Sequence, residues 1–188
     1  RYFCLSRGLG DVYKGQIGGL ALDAITTNSY NTAVGHAALS ANTATGGTAV
    51  GHRALTSNTT GSANLAVGKD SLFNNTTGSY NIAIGYDSLQ QNTTASNNVA
   101  IGHDALKLNT TGGENVAVGA NALDAATTAS ENTAVGYQAL TSTTGAYNSA
   151  FGRKALLTNS TGTHNTSIGR ESLYDNTTGS HLTAIVNE

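Results

Sequence analysis

The sequence predicts an all-β protein, a parallel β-solenoid (β-roll) of about ten coils of 17 residues, and three observations predict it. First, the phrase Asn31-Thr-Ala-Val-Gly-His-Ala-Ala-Leu39 returns as Asn132-Thr-Ala-Val-Gly-Tyr-Gln-Ala-Leu140, with four close copies between them. Second, a glycine following a branched or aromatic residue recurs at 18, 35, 51, 68, 85, 102, 119, 136, 152 and 169, so the step is always 16 or 17 residues. Third, the 188-residue chain has 23 Gly and no Pro, Met or Trp, and only 6% aromatic residues. Large apolar residues are too scarce for a thick globular core, whereas stacked copies of a short unit bury one another's faces.

The elements follow in chain order. Residues 1–15 lie outside the repeat and read as a cap or linker; residues 16–188 are the array, ending in a truncated eleventh copy with Val186 in the glycine's place. Each unit opens with a short extended stretch in which alternate side chains point to opposite faces. The residue before each glycine, as at Val67, Ile84 and Ile101, is expected to point inward. Between it and its β-forming neighbour stands an almost uniform Ala column, including Ala66, Ala83, Ala100 and Ala117. Alternation then aims that column outward, and its smallness implies a close-packed neighbour, read here as a subunit contact.

Four residues after every glycine stands a Leu, among them Leu72, Leu89 and Leu106, expected in the core. Segments such as Tyr86-Asp-Ser-Leu-Gln-Gln-Asn92 have helix-compatible residues and predict a short helical turn per coil. The unit closes with Asn-Thr-Thr-Gly or a near copy, a turn sequence, since Gly accepts positive φ and Asn bonds its own backbone. Both one-residue deletions, near 42–47 and 141–144, fall in this part of the repeat. A second Asn precedes each strand, and stacked identical amides can bond along a column.

Composition also excludes functions. A net charge of -2 without basic clusters removes the footprint of a nucleic-acid or anionic-membrane binder. No apolar run approaches the roughly 20 residues of a membrane span, so no membrane insertion is expected. The absence of Met and the mid-pattern ending suggest a mature product or a segment of a longer protein. Cys4 has no second cysteine to pair with. His36 and His52 share a column without a third ligand, since Lys69 follows them. Asp70, Asp87 and Asp104 form an acidic column, but the calcium nonapeptide is absent and Lys69, Lys107 and Arg153 offer neutralisation. Neither a phosphate-cradling glycine motif nor a nucleophile-base pair is present, so no cofactor, metal or catalytic activity is expected.

The recurring Asn-x-Ala-(Val/Ile)-Gly resembles the head repeat of YadA-like trimeric autotransporter adhesins and, more closely, the Asn-Thr-Ala-Val-Gly arrays of bacteriophage tail fibres. The resemblance covers residues 16–186. It implies a left-handed roll, three chains side by side, and an adhesive or spacer role outside the cell, at a cell or virion surface. A 17-residue unit is longer than the usual head repeat, and the Leu after the glycine and the Asn-Thr-Thr-Gly turn are additions to it. Three rods meeting on an axis would fit the Ala column as their contact. The expected function is thus a non-catalytic fibre or adhesin module, self-associating as a homotrimer and touching a surface glycan or receptor through its variable residues. A self-assembling extracellular filament, built end to end, is the alternative. An ice-binding solenoid comes third, because Thr-Thr lies in a turn and not on a flat strand. Asn58, Asn75, Asn92, Asn109, Asn159 and Asn176 match the Asn-x-Ser/Thr acceptor pattern, which would let a filament carry N-linked sugars.

Overall fold

A computed structural model describes residues 14–24 and 28–186. Eleven short strands occur in it: β1 (Lys14–Ile17), β2 (Asn31–Val34), β3 (Thr48–Val50), β4 (Leu65–Val67), β5 (Ile82–Ile84), β6 (Val99–Ile101), β7 (Val116–Val118), β8 (Thr133–Val135), β9 (Ser149–Phe151), β10 (Thr166–Ile168) and β11 (Thr183–Ile185). They form one sheet in sequence order, every pair parallel. Equivalent residues stand in register: Ala66 faces Ala83, Ala83 faces Ala100, and Ala100 faces Ala117. The chain is a β-solenoid of stacked 17-residue coils. Its array begins by Lys14, slightly earlier than residue 16, while Cys4 and most of the expected N-terminal segment lie outside the described residues.

Outside the strands the backbone still bonds coil to coil. Leu72 N–H donates to Ser88 O at 3.0 Å and Leu89 N–H to Ala105 O at 3.0 Å, so the ladder continues through the turns. No helix occurs among the described residues. The expected helical turn is replaced by tight turns with left-handed residues two and four places after each glycine: Asp87 at φ 53° and Leu89 at 51° in one coil, Asp104 at 55° and Leu106 at 52° in the next. Left-handed backbone costs a non-glycine residue roughly 1–2 kcal/mol. At the Leu positions, full burial of the side chain, worth roughly 1.5–3 kcal/mol, offsets that strain. The glycine itself is obligatory. Gly85 sits at φ 140°, and a Cβ there would collide with the carbonyl oxygen of Gly102 in the next coil.

The core corrects the inward and outward assignment of the strands. Ala66, Ala83, Ala100 and Ala117 are fully buried within the single chain, whereas Val67 and Ile84 are half-buried and Ile101 is exposed. The Ala column therefore cannot be a subunit contact. Leu72, Leu89 and Leu106 are fully buried, and they join those alanines in one continuous cluster. The reason is volume. Each coil closes on itself within 17 residues, and with a Leu from the turn and two Asn side chains also inside, only a methyl group fits on the inner face of the strand. What packs closely against the alanines is the same chain's interior.

Candidate interaction surface

Reversing the strand turns its branched residues into an outer face. Around β5 the burial alternates: Tyr80 exposed, Asn81 buried, Ile82 exposed, Ala83 buried, Ile84 half-buried, Tyr86 exposed. Repeated along the rod, this gives two central columns of mainly Val, Ile, Leu and Thr and two margins. Ile82, Ile101 and Phe151 remain 36%, 37% and 40% exposed, so the described residues leave the strip uncovered. A contiguous apolar patch of this kind is a candidate interaction surface.

The margins are unlike each other. One, five residues before each glycine, carries Tyr30, Tyr80, Glu114, Glu131, Tyr147, His164 and His181. The other, directly after each glycine, carries His36, His52, Lys69, Tyr86, His103, Tyr137, Arg153 and Arg170, without an acidic residue. Neighbours in a margin stack. His36 and His52 have ring centroids 5.6 Å apart, Tyr86 and His103 5.4 Å, Tyr147 and His164 4.7 Å, and His164 and His181 4.9 Å. The Lys69 ammonium lies 4.8 Å from the Tyr86 ring centre. Hydrogen bonding to Glu131 raises the Tyr147 phenol above its ordinary pKa.

The acidic column lies just beyond the basic margin. Burial alone would raise Asp70, but Arg53, at 2.7 and 2.8 Å from its two oxygens, and Lys69 hold the carboxyl below its ordinary value. Lys107 bridges Asp87 at 3.1 Å and Asp104 at 3.0 Å. These contacts spend the carboxylates on internal ion pairs. Among the described residues no group of three or more His, Cys, Asp or Glu is placed to hold a metal. The two rings of His36 and His52 stand nearly parallel, with 16° between their planes, so their in-plane lone pairs do not converge on one ion.

The acceptor asparagines are interior. Asn58, Asn75, Asn92, Asn109 and Asn159 are fully buried, and Asn176 is half-buried. Asn75 Nδ2, the atom to which a sugar would be joined, donates to Asn58 Oδ1 at 2.7 Å and to Gly78 O at 2.9 Å. Asn176 Nδ2 donates likewise to Asn159 Oδ1 at 3.0 Å and Gly179 O at 3.1 Å. The glycosylation expectation is therefore withdrawn: the motif is a core ladder. The hydroxyls that follow five of these asparagines are also committed: Thr59, Thr76, Thr93, Thr110 and Ser160 each donate to the next coil's Thr carbonyl, Thr59 and Thr76 at 2.9 Å. Hydroxyls spent on the next coil's carbonyls weigh against a free hydroxyl lattice for ice.

No family model, curated protein or solved structure matches the chain. The site must be read from its own residues. The expected subunit contact, Ala66, Ala83, Ala100 and Ala117, lies one residue away from the outer face, on the buried side of the strand. The margin after the glycine is visible in the sequence as a variable column that includes His36, His52 and Lys69; the margin five residues before each glycine is not, because its residue types vary from coil to coil, and its signal is that aromatic, His and acidic residues concentrate at one fixed repeat position.

Proposed function

We propose that the chain is a structural, non-catalytic rod of an extracellular fibre or adhesin, at a cell or virion surface, that associates side by side with copies of itself through the outer face of its sheet. The uncovered apolar strip carries this reading. Its setting supports it: aromatic residues beside an apolar centre are the composition of protein interfaces. Copies rotated about a common rod axis meet unlike margin to unlike margin, which sets Glu131 one coil from the level of Arg153 in the opposite margin. Antiparallel copies would bring like margins together, with basic residues facing basic ones. Parallel association is thereby favoured, and three copies about one axis is the number implied by the resemblance to adhesin and tail-fibre repeats. The variable residues away from the contact are left to meet a glycan or receptor.

Light scattering and electron microscopy test the reading. The wild type is expected as a discrete parallel oligomer and the Ile84→Arg/Ile101→Arg variant as single folded chains, while Thr77→Arg on an exposed turn stays assembled. A double variant of unchanged mass contradicts the contact. End-to-end fibrils in both proteins would favour the filament.

A further inference from the structure

All five histidines of the chain, His36, His52, His103, His164 and His181, lie in the two margins of the apolar strip and nowhere else. Histidine is the side chain whose charge changes between roughly pH 5 and 8. We propose that the side-by-side contact is opened by acid, through protonation of these margins; this rests on the lateral association argued above. Protonating the five takes the chain's formal charge from -2 to +3 while the carboxylates remain ionised, and every added charge sits on the contact's edge.

The surroundings of each imidazole decide its part. His164 stacks between Tyr147, whose phenol is held by Glu131, and His181, so among the described residues no carboxylate directly faces it. In parallel copies its level matches that of Arg170 in the opposite margin, and protonation sets like charges together there. His36 and His52 stack on each other, and Lys69, next in the margin after His52, and Arg53 both engage Asp70, leaving two cations about 5.6 Å apart when both are protonated. Opposite them stand Tyr30 and the backbone of Gly46, neither able to neutralise a positive charge. His103 differs: its Nδ1 lies 3.4 Å from Asp104 Oδ2, a carboxylate that Lys107 also engages, and Tyr86 with Lys69 lies on its other side. Its charge is compensated within the chain. The two stacked pairs therefore carry the effect.

The test compares light-scattering mass at about pH 8 and about pH 5 for the wild type and for His36→Gln/His52→Gln/His164→Gln/His181→Gln, with circular dichroism at both values. The expected result is a wild type assembled at the higher pH and single-chain at the lower, its sheet signal intact, with dissociation constants at least about tenfold apart. The quadruple variant is expected to stay assembled at both. A wild type assembled at both values overturns the proposal, as does a variant that dissociates in acid like the wild type, or a sheet signal lost in acid. A wild type already single-chain at the higher pH instead overturns the lateral contact itself.

Discussion

The stretch from Asn58 to Asn109 and the stretch from Asn109 to Thr143 are built from the same repeat, yet their interiors differ. In the first, each Asn passes an amide hydrogen bond back to the previous coil: Asn75 to Asn58 at 2.7 Å, Asn92 to Asn75 at 2.7 Å and Asn109 to Asn92 at 3.0 Å. In the second, Ala126 and Thr143 take the Asn position, and the Asn109 Oδ1 that the missing amide would have met is buried without a partner. The second ladder runs unbroken through both stretches, from Asn64 through Asn81, Asn98, Asn115 and Asn132 to Asn148. The fold thus tolerates a gap in one ladder because backbone pairing and the other ladder hold the coils. The gap still leaves an unsatisfied acceptor, and Asp124 Oδ1, buried and unpartnered, lies in the same coil as Ala126. Two of the three buried unpartnered side-chain oxygens among the described residues lie at this junction, the third being Asp87 Oδ1 in the first stretch.

The largest effect should be blind to the difference. Gly85→Ala and Gly119→Ala each drive a Cβ into the next coil's carbonyl oxygen, so each should destabilise by about 3 kcal/mol or more, equally in both stretches, in urea melts. Next, Asn75→Ala copies the gap into the intact stretch. It strands Asn58 Oδ1 and should lower stability by about 2 kcal/mol, whereas Ala126→Asn repairs the natural gap and should raise it by about 1 kcal/mol. Equal and opposite indifference of both variants would mean the ladder contributes nothing.

The smallest effect is in pH dependence. Burial raises the Asp124 carboxyl above its ordinary 3.8, helped by Asp104 and opposed by Asn121. The native chain therefore holds that proton more tightly than the unfolded one, and stability falls as pH rises from 3.8 through the raised value. Asp124→Asn should stabilise at neutral pH and make no difference below about pH 3. Asp70 has the opposite sign: its depressed carboxyl contributes above its ordinary value and loses that contribution as pH falls through the lowered one. Arg53→Gln should weaken this acid sensitivity, with Lys69 still beside the carboxyl.

Much of the architecture was legible because translation repeats it. The glycine spacing gave coil length and register, the Leu column gave part of the core, and the Asn columns announced ladders. Strand parity was not legible from hydrophobicity, since Val and Ile next to Ala suggest the larger pair inside; only the lumen's volume reverses that. The left-handed turns were hidden as well, because Leu89, Leu106 and Gln138 are not residues that advertise positive φ. The Asn-Thr-Thr motif matched a glycan acceptor because a short pattern carries no information about burial.

The claim on which the interior and the contact surface both depend is that alanine points in and isoleucine out. Circular dichroism at 20 °C of Ala100→Asp beside Ile101→Asp tests it most directly, as the two substitutions are identical and one residue apart. The inner variant should lose much of the sheet signal, because a buried unpaired carboxylate costs several kcal/mol, while the outer one stays folded. A folded Ala100→Asp with an unfolded Ile101→Asp would contradict the account.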